Sequence, residues 1–413
     1  MRTRQILFGI GMAALLVSGL YSGERFFFVG FFVMLVMLVL SLASVVYTGF
    51  TFKYLQSLTP AVGVKGDTLD YRLQVHNDMF FPIAYIRLTY DSIDSLLSGE
   101  QASVTMSLTP RSNSEHTQGM FCRYRGRWPV GVKKAEIRDI FGLISIRLDI
   151  SSFLSHKPIS LLVRPRILQL PLLPMRRRND EGPMETAPRR SDDVAMLADI
   201  RKYQPGDQMK RIHWKLTARQ REIMVKNYEE TSLPDLLIYL DTKLKQMGRM
   251  DRLNLEDTLV ESATAVVHHL LQNDTPTSLI FYSDKRIHLR GSKSEHFQAI
   301  YSVLSEMPFD GKWDACDVLM NDLKLVTHTG NLFLITSSLS DKLFDLLMMM
   351  NSSGMSISMV YVREPVDQEE MAIKRAVEVG RARRMVSEMR DAGIVVVDMA
   401  PGDNLAERVG VIR

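Results

Sequence analysis

The sequence predicts a multi-domain protein: an N-terminal transmembrane helical hairpin, an antiparallel β sandwich, then an α/β domain with a mostly parallel sheet. Three observations predict it. Two long, charge-free apolar runs open the chain. Short segments of period-two alternation follow, the pattern of half-buried strands. Beyond residue 232, brief apolar runs alternate with helical patterns, as in strands joined by crossover helices.

The chain has 413 residues, which allows an anchor and two further domains at roughly 100–200 residues each. Hydrophobic residues make up 46% and charged residues 24%, so the body can bury a core. A net charge of +4 gives no argument for nucleic acid. Cys122 and Cys316 fall in different regions. A disulfide framework is not expected, and a reducing compartment fits better.

Residues 1–52 read as the hairpin. Residues 6–21 are apolar or small, and residues 26–52 hold no charge. A spanning helix needs about 20 apolar residues, so the second run suffices and the first borrows its flanks. A secretory signal is the rival reading of the first run, with Arg2 and Arg4 as its basic flank. No small-residue cleavage site precedes Glu24, and a stronger apolar run follows at once. Ser22-Gly23-Glu24-Arg25 reads as a tight turn. Arg2 and Arg4 lie before the first helix, and Lys53 and Lys65 follow the second. Only Arg25 lies in the turn. The bias of basic residues places both termini, and the body, in the cytoplasm of a two-pass cell-membrane protein.

Residues 53–164 read as the sandwich. Leu69, Tyr71, Leu73 and Val75 alternate with polar residues, and Asn77-Asp78 marks a turn. Residues 83–90 and 102–108 read as further strands, and 123–149 as several more, broken by Gly126, Gly131 and Gly142. Residues 165–198 read as a linker, extended where Pro165, Pro171, Pro174, Pro183 and Pro188 fall. Its run Arg176-Arg177-Arg178 suits either anionic lipid head groups or plain solvation.

Residues 232–413 read as the α/β domain. Strands are expected at 236–240, 278–282, 331–336, 357–362 and 394–398. Helices are expected at 255–272, 295–306, 314–326, 341–350 and 369–392. In such folds ligands bind beyond the carboxyl ends of the strands. Those ends carry Asp241, Ser283-Asp284 and Thr336-Ser337-Ser338.

Between the two domains, residues 199–231 hold the most informative stretch. Pro205-Gly206-Asp207 is a turn. Lys210, Arg211, Lys215 and Arg219 surround His213 and Trp214. Trp214 can stack on a guanidinium, and arginine forks bind carboxylate or phosphate. An architectural reading stands beside this: Trp214 plugs a core while Asp207 holds Arg211 or Arg219 and fixes the turn.

The order R-x-Y-x-x-G-D, then I-x-W-K-x-x-A-R, resembles the signature of the bacterial "domain of unknown function 58" family. Arg201, Tyr203, Gly206, Asp207, Ile212, Trp214, Lys215, Ala218 and Arg219 carry it. Arg125-Gly126-Arg127-Trp128, followed by 139–143 (DIFGL), resembles that family's "RGRY … DPFGL" stretch, with Ile140 where proline is usual. Val163-Arg164-Pro165-Arg166 resembles its "V-Y-P" segment. The resemblance implies a von Willebrand A-like, Rossmann-like C-terminal domain. It also implies a partner, a MoxR-type AAA+ ATPase, and in some cases a transglutaminase-like membrane protein. It implies no enzymatic activity.

A-type domains often bind Mg²⁺ through D-x-S-x-S after the first strand, where hydroxyls and a carboxylate suit a hard cation. Here the run is Asp241-Thr242-Lys243-Leu244-Lys245. Two lysines replace the serines and oppose a cation. No metal or other cofactor is expected. Asp241 is instead expected to pair with Lys243 or Lys245, or to cap a helix.

The histidines form no ligand pattern, and no P-loop or G-x-G-x-x-G opens a helix. Acidic residues flank the basic-aromatic stretch, so a protein partner suits it better than nucleic acid. The sequence therefore predicts a membrane-anchored adaptor or scaffold. The alternative is an enzyme that binds an anionic substrate through the basic signature segment.

Overall fold

The structure, a computed structural model, describes residues 2–90, 103–150, 159–173, 197–202, 212, 214, 217, 222–228, 236–322, 326, 330–364 and 372–411. The chain divides into two compact units. Unit 1 comprises Met1–Ile167, Gly248–Thr264 and Tyr301–Met307. Unit 2 comprises Leu168–Met247, Ala265–Ile300 and Pro308–Arg413.

Unit 1 opens with helices α1 (Arg2–Ser22) and α2 (Arg25–Thr51), both long and apolar enough to cross a membrane. Gly23 makes the turn between them at a φ of 71°, a left-handed conformation that glycine adopts without steric penalty. Few of the helices' side chains are buried. Those of α2 are Ser41, Val45 and Thr48, in its last three turns.

Among the described residues ten strands follow: β1 (Lys53–Thr59), β2 (Val62–Val64), β3 (Thr68–Asn77), β4 (Ile83–Tyr90), β5 (Ser103–Leu108), β6 (Ser112–Phe121), β7 (Gly126–Val130), β8 (Val132–Arg138), β9 (Ser145–Asp149) and β10 (Ile159–Arg164). They form three sheets, ordered β1-β3-β6, β2-β10-β7 and β5-β4-β8-β9. The alternation along β3 buries Leu69, Tyr71, Leu73 and Val75, as the period-two pattern predicts. Ile83, Ile86 and Leu88 of β4 meet them in one core, with Ile137 of β8, Leu161 and Val163 of β10, and Val45 of α2. One pairing departs from the expected all-antiparallel arrangement: β10 runs parallel to β2. A three-residue strand has too short an apolar pattern to announce its direction.

Unit 2 begins with an antiparallel pair, β11 (Leu197–Lys202) and β12 (Met224–Tyr228). The mostly parallel sheet comes next. It holds β13 (Leu236–Leu240), β14 (Thr277–Tyr282), β15 (Arg286–Gly291), β16 (Asn331–Thr336), β17 (Ser356–Val362) and β18 (Val395–Met399), ordered β15-β14-β13-β16-β17-β18. Every pair is parallel except β14–β15, an antiparallel edge. All five positions of β13 are buried, as in a strand covered on both faces. The helices are α3 (Arg249–Gln272), α4 (Phe297–Glu306), α5 (Ala315–Asn321), α6 (Asp341–Ser352), α7 (Ala372–Asp391) and α8 (Leu405–Val411); the first residues of α3 and the last of α4 fall in unit 1. Leu343 and Leu347 of α6, with Met385 and Met389 of α7, pack on Leu332, Leu334, Ile357 and Met359 of the sheet.

Candidate functional site

From β13 the chain proceeds to β14 on one side of the sheet; from β16 it proceeds to β17 and β18 on the other. The strand order reverses between β13 and β16, so their carboxyl ends form the switch point where α/β folds place ligands. Asp241 stands directly after β13, and Thr336 ends β16.

These two residues close the switch point on each other. Thr336 Oγ1 donates to Asp241 Oδ2 at 2.7 Å, and the Lys243 backbone N–H donates to Asp241 Oδ1 at 3.0 Å. Burial pushes the Asp241 carboxyl up to about 6, against the opposing effect of these two bonds. The expectation that Asp241 pairs with a lysine side chain is corrected. Lys243 Nζ reaches Asp314 at 2.7 Å, and Lys245 Nζ reaches Glu364 at 3.1 Å. Both ammonium groups extend to the surface and leave Asp241 to backbone and hydroxyl donors. Lysines hold the two positions where hydroxyls would ligate a divalent cation. Among the described residues no group of three or more His, Cys, Asp or Glu side chains is placed to hold a metal. The neighbouring loop is tight: Thr242 Oγ1 bonds the Tyr282 carbonyl, and a Cβ on Gly311 would lie 3.0 Å from backbone atoms of both residues.

Beside the switch point a cleft of about 330 Å³ opens over the ends of β16, β17 and β18. Lys245, Ser337, Asp341, Arg363, Glu364, Arg381 and Asp398 line it. Most of its charges face each other. Arg363 Nε lies 3.1 Å from Asp398 Oδ1, and Arg381 meets Asp341. Ser337 is buried, and its hydroxyl has no hydrogen-bond partner among the described residues. Trp313 stands 54% exposed next to Asp314, the partner of Lys243.

The signature segment is described only in part. Arg201 lies on β11 opposite Val225. Ile212 is buried and bridges Val225, and Thr217 Oγ1 accepts from the Met224 N–H at 3.0 Å. Trp214 is 68% exposed, so its indole does not plug a core. Tyr203, Gly206, Asp207, Arg211, Lys215, Ala218 and Arg219 lie outside the described residues, as do Arg176, Arg177 and Arg178.

The two other motif segments meet in unit 1, around acidic residues that sequence reading missed. Arg125 is buried. Its backbone N–H donates to Asp257 Oδ1 at 3.2 Å, and its guanidinium donates to the carbonyls of Leu304 (3.3 Å) and Met307 (3.0 Å). These carbonyls belong to the last turn of α4 and the residue beyond it, which have no helical partners of their own. Arg127 grips Glu306 through Nε at 3.1 Å and Nη2 at 2.7 Å. Lys65 Nζ sits 3.0 Å from Asp257 and 3.2 Å from Glu261, and Arg166 forks onto Glu261 with two bonds of 3.0 Å. Tyr301 donates its hydroxyl to the Pro165 carbonyl at 2.7 Å. Burial drives the Arg125 guanidinium down and the Asp257 carboxyl up, while the opposite charges of the cluster counteract both shifts. Arg125 and Arg166 are thus structural ties.

Residues 199–380 match the family described as "Protein of unknown function DUF58". The DUF58 match takes in the signature segment and most of the parallel sheet, a little less than half of the chain. The "Uncharacterized protein YeaD" of Bacillus subtilis (strain 168) is 25% identical over 105 residues, covering 25% of this chain and 24% of its own length. The chain therefore matches about a quarter of that relative. Two solved structures are weakly similar. The CARDB domain of a Pyrococcus furiosus protein, in complex with di-metal ions, aligns at a TM-score of 0.20 and 12% identity over 27% of this chain and 91% of its own. A GH20 exo-β-N-acetylglucosaminidase from Vibrio harveyi, in complex with N-acetylglucosamine, aligns at 0.19 and 8% identity over 84% of this chain and 75% of its own. Likeness at this level carries no argument about either protein's chemistry.

Proposed function

We propose that this protein is a two-pass, membrane-anchored adaptor whose von Willebrand A-like sheet docks a protein partner at its carboxyl edge. The body faces the cytoplasm in this reading. The partner is a MoxR-type AAA+ ATPase, as the family resemblance of the signature residues implies, with a transglutaminase-like membrane protein as a further associate. One observation carries the proposal: at the switch point, where an α/β fold would take a small ligand, Asp241 and Thr336 bond to each other, while the surface beside them stays open. The ion pairs Lys245–Glu364 and Lys243–Asp314 lie near it, and the exposed indole of Trp313 precedes Asp314. An exposed tryptophan flanked by Lys312 and Asp314 has the composition of a protein-binding hot spot and its rim.

The test uses the full-length protein in detergent. Lys245→Glu reverses a charge that is mostly exposed, and Trp313→Ala removes the indole; neither opens the core. Both variants are expected to keep the wild-type melting temperature and to recover the co-purifying partner about ten-fold less well, a loss of about 1.4 kcal/mol in binding. Undiminished partner recovery by both variants would place the docking surface elsewhere.

A further inference from the structure

We infer that the body of the protein does not hang free below its two helices but is itself seated in the bilayer surface, through two apolar knuckles held beside α2. This inference rests on the reading that both helices span a bilayer.

The first knuckle is the turn after β8. Asp139 is buried and organises it: Oδ1 accepts from the Ile144 N–H at 2.8 Å, and Oδ2 accepts from the Phe141 N–H at 3.1 Å. The same Oδ2 accepts from Ser41 Oγ of α2 at 2.6 Å. On the far side, Gln5 Nε2 of α1 donates to the Leu143 carbonyl at 2.6 Å, and the Arg4 guanidinium lies against Gly142. So the turn is tied to both helices at one level. It holds Ile140 outward, 64% exposed, with Phe141 beside it.

The second knuckle is the turn between β3 and β4. Asn77, also buried, fixes it by donating to the carbonyls of Phe81 (3.0 Å) and Thr109 (2.8 Å) and accepting from the Met79 N–H at 3.1 Å. It holds Phe80 and Phe81 outward, 73% and 68% exposed. The Arg111 guanidinium stacks 4.1 Å above the Phe80 ring. Between the knuckles and the helix lies an open apolar cleft of about 690 Å³, lined among others by Leu40, Tyr47, Phe50, Phe81, Ile140 and Phe141.

Length decides what fills it. From Arg25 to Ser41 the helix rises about 24 Å at ~1.5 Å per residue. The hydrocarbon core of a bilayer is about 30 Å thick. A bilayer that begins at Arg25 therefore extends past Ser41 and reaches the two knuckles. The cleft is continuous with the uncovered side of α2, so its occupant is the acyl region of the leaflet nearest the body. Tyr47 and Phe50 stand where aromatic side chains favour the head-group boundary. The long side chains of Arg4 and Arg111 can carry their guanidinium groups out to anionic lipid head groups, while Lys53 pairs with Asp78 at 2.8 Å. Four exposed apolar side chains on two rigid turns would otherwise face water, which soluble surfaces avoid in contiguous patches.

The experiment places a nitrobenzoxadiazole fluorophore on single cysteines in full-length protein carrying Cys122→Ala and Cys316→Ala, reconstituted in nanodiscs of phosphatidylcholine and phosphatidylglycerol. Phe81→Cys and Ile140→Cys probe the knuckles, Val33→Cys the centre of the hydrocarbon layer, and Met349→Cys the surface of unit 2. Lipids with a nitroxide high on the acyl chain are expected to reduce emission at positions 81 and 140 about two-fold, and aqueous iodide to leave it unchanged. Position 349 should show the reverse. Quenching at position 33 by a deep nitroxide, with positions 81 and 140 open to iodide, would overturn the inference while leaving the spanning reading intact. Failure at position 33 would remove the spanning reading itself. Knuckles shielded from both quenchers would mean a second copy of the chain covers them, which also overturns it.

Discussion

Asp241 carries the sharpest consequence at the scale of single residues. Its carboxyl is raised to about 6, mainly by burial, above the ordinary carboxylate value of 3.8. A raised folded value means that the native state holds its proton more tightly than the unfolded chain. Stability from this group is therefore present at low pH and is lost as pH rises from about 4 to 6. Asp241→Asn keeps an oxygen for the Lys243 N–H and offers an amide to Thr336. Relative to wild type, the Asn variant should gain up to about 3 kcal/mol as pH rises from ~4 to ~7. Urea unfolding at the two pH values measures this difference, and a pH-independent offset would contradict it. Asp257 behaves oppositely on substitution. Asp257→Ala removes the acceptor of the buried Arg125 N–H and the carboxylate beside its guanidinium, leaves Lys65 to Glu261, and should cost about 3–5 kcal/mol in the same assay. Trp214→Ala, by contrast, removes an exposed indole and should shift stability by under about 0.5 kcal/mol. Loss of partner recovery in that variant would then report on binding alone.

Among the elements, those with an unbroken period were legible before any coordinates. The alternation of Leu69, Tyr71, Leu73 and Val75 marks β3, and all four are buried. Val260, Ala263, Val266, Val267 and Leu270 mark α3, and all five are buried. The apolar run 236–240 marks a strand covered on both faces. Elements with polar or brief patterns were missed. The edge strand β15 reads RIHLRG and shows no apolar run, because one side of an edge strand needs none. The parallel pairing of β10 with β2 is invisible in a three-residue strand. Of the helical pattern expected over 314–326, α5 covers Ala315–Asn321 and Val326 is again helical, its N–H donating to the Asp322 carbonyl. The site was half legible. The chain pattern led to the strand ends and to Asp241. The acidic partners of the arginine motifs were not readable, because Arg125 and Asp257 lie 132 residues apart and Arg166 and Glu261 lie 95 apart. Contacts at such separations leave no local signal. That arrangement predicts that Glu261→Gln, which halves the fork to Arg166 and weakens the tie to Lys65, destabilises the protein by about 1.5–3 kcal/mol. Unfolding of the full-length protein in detergent measures it; a change under about 0.5 kcal/mol would deny the cluster its structural role.

For the whole molecule, the division of labour follows from where charge is buried and where it is exposed. In unit 1, Arg125, Asp257 and Glu261 sit inside, consumed by one another and by backbone carbonyls. In unit 2, Lys243, Lys245, Arg381 and Asp341 sit outside, in pairs that a partner's charges can exchange into at small cost. Buried networks fix structure; exposed ones are available for recognition. The measurement that tests this account most directly is recovery of the tagged full-length protein in mild detergent, with and without ATP, read by mass spectrometry. The account predicts specific recovery of a AAA+ ATPase whose yield changes with nucleotide and falls in Lys245→Glu. Folded bait that recovers no ATPase in either condition would contradict it.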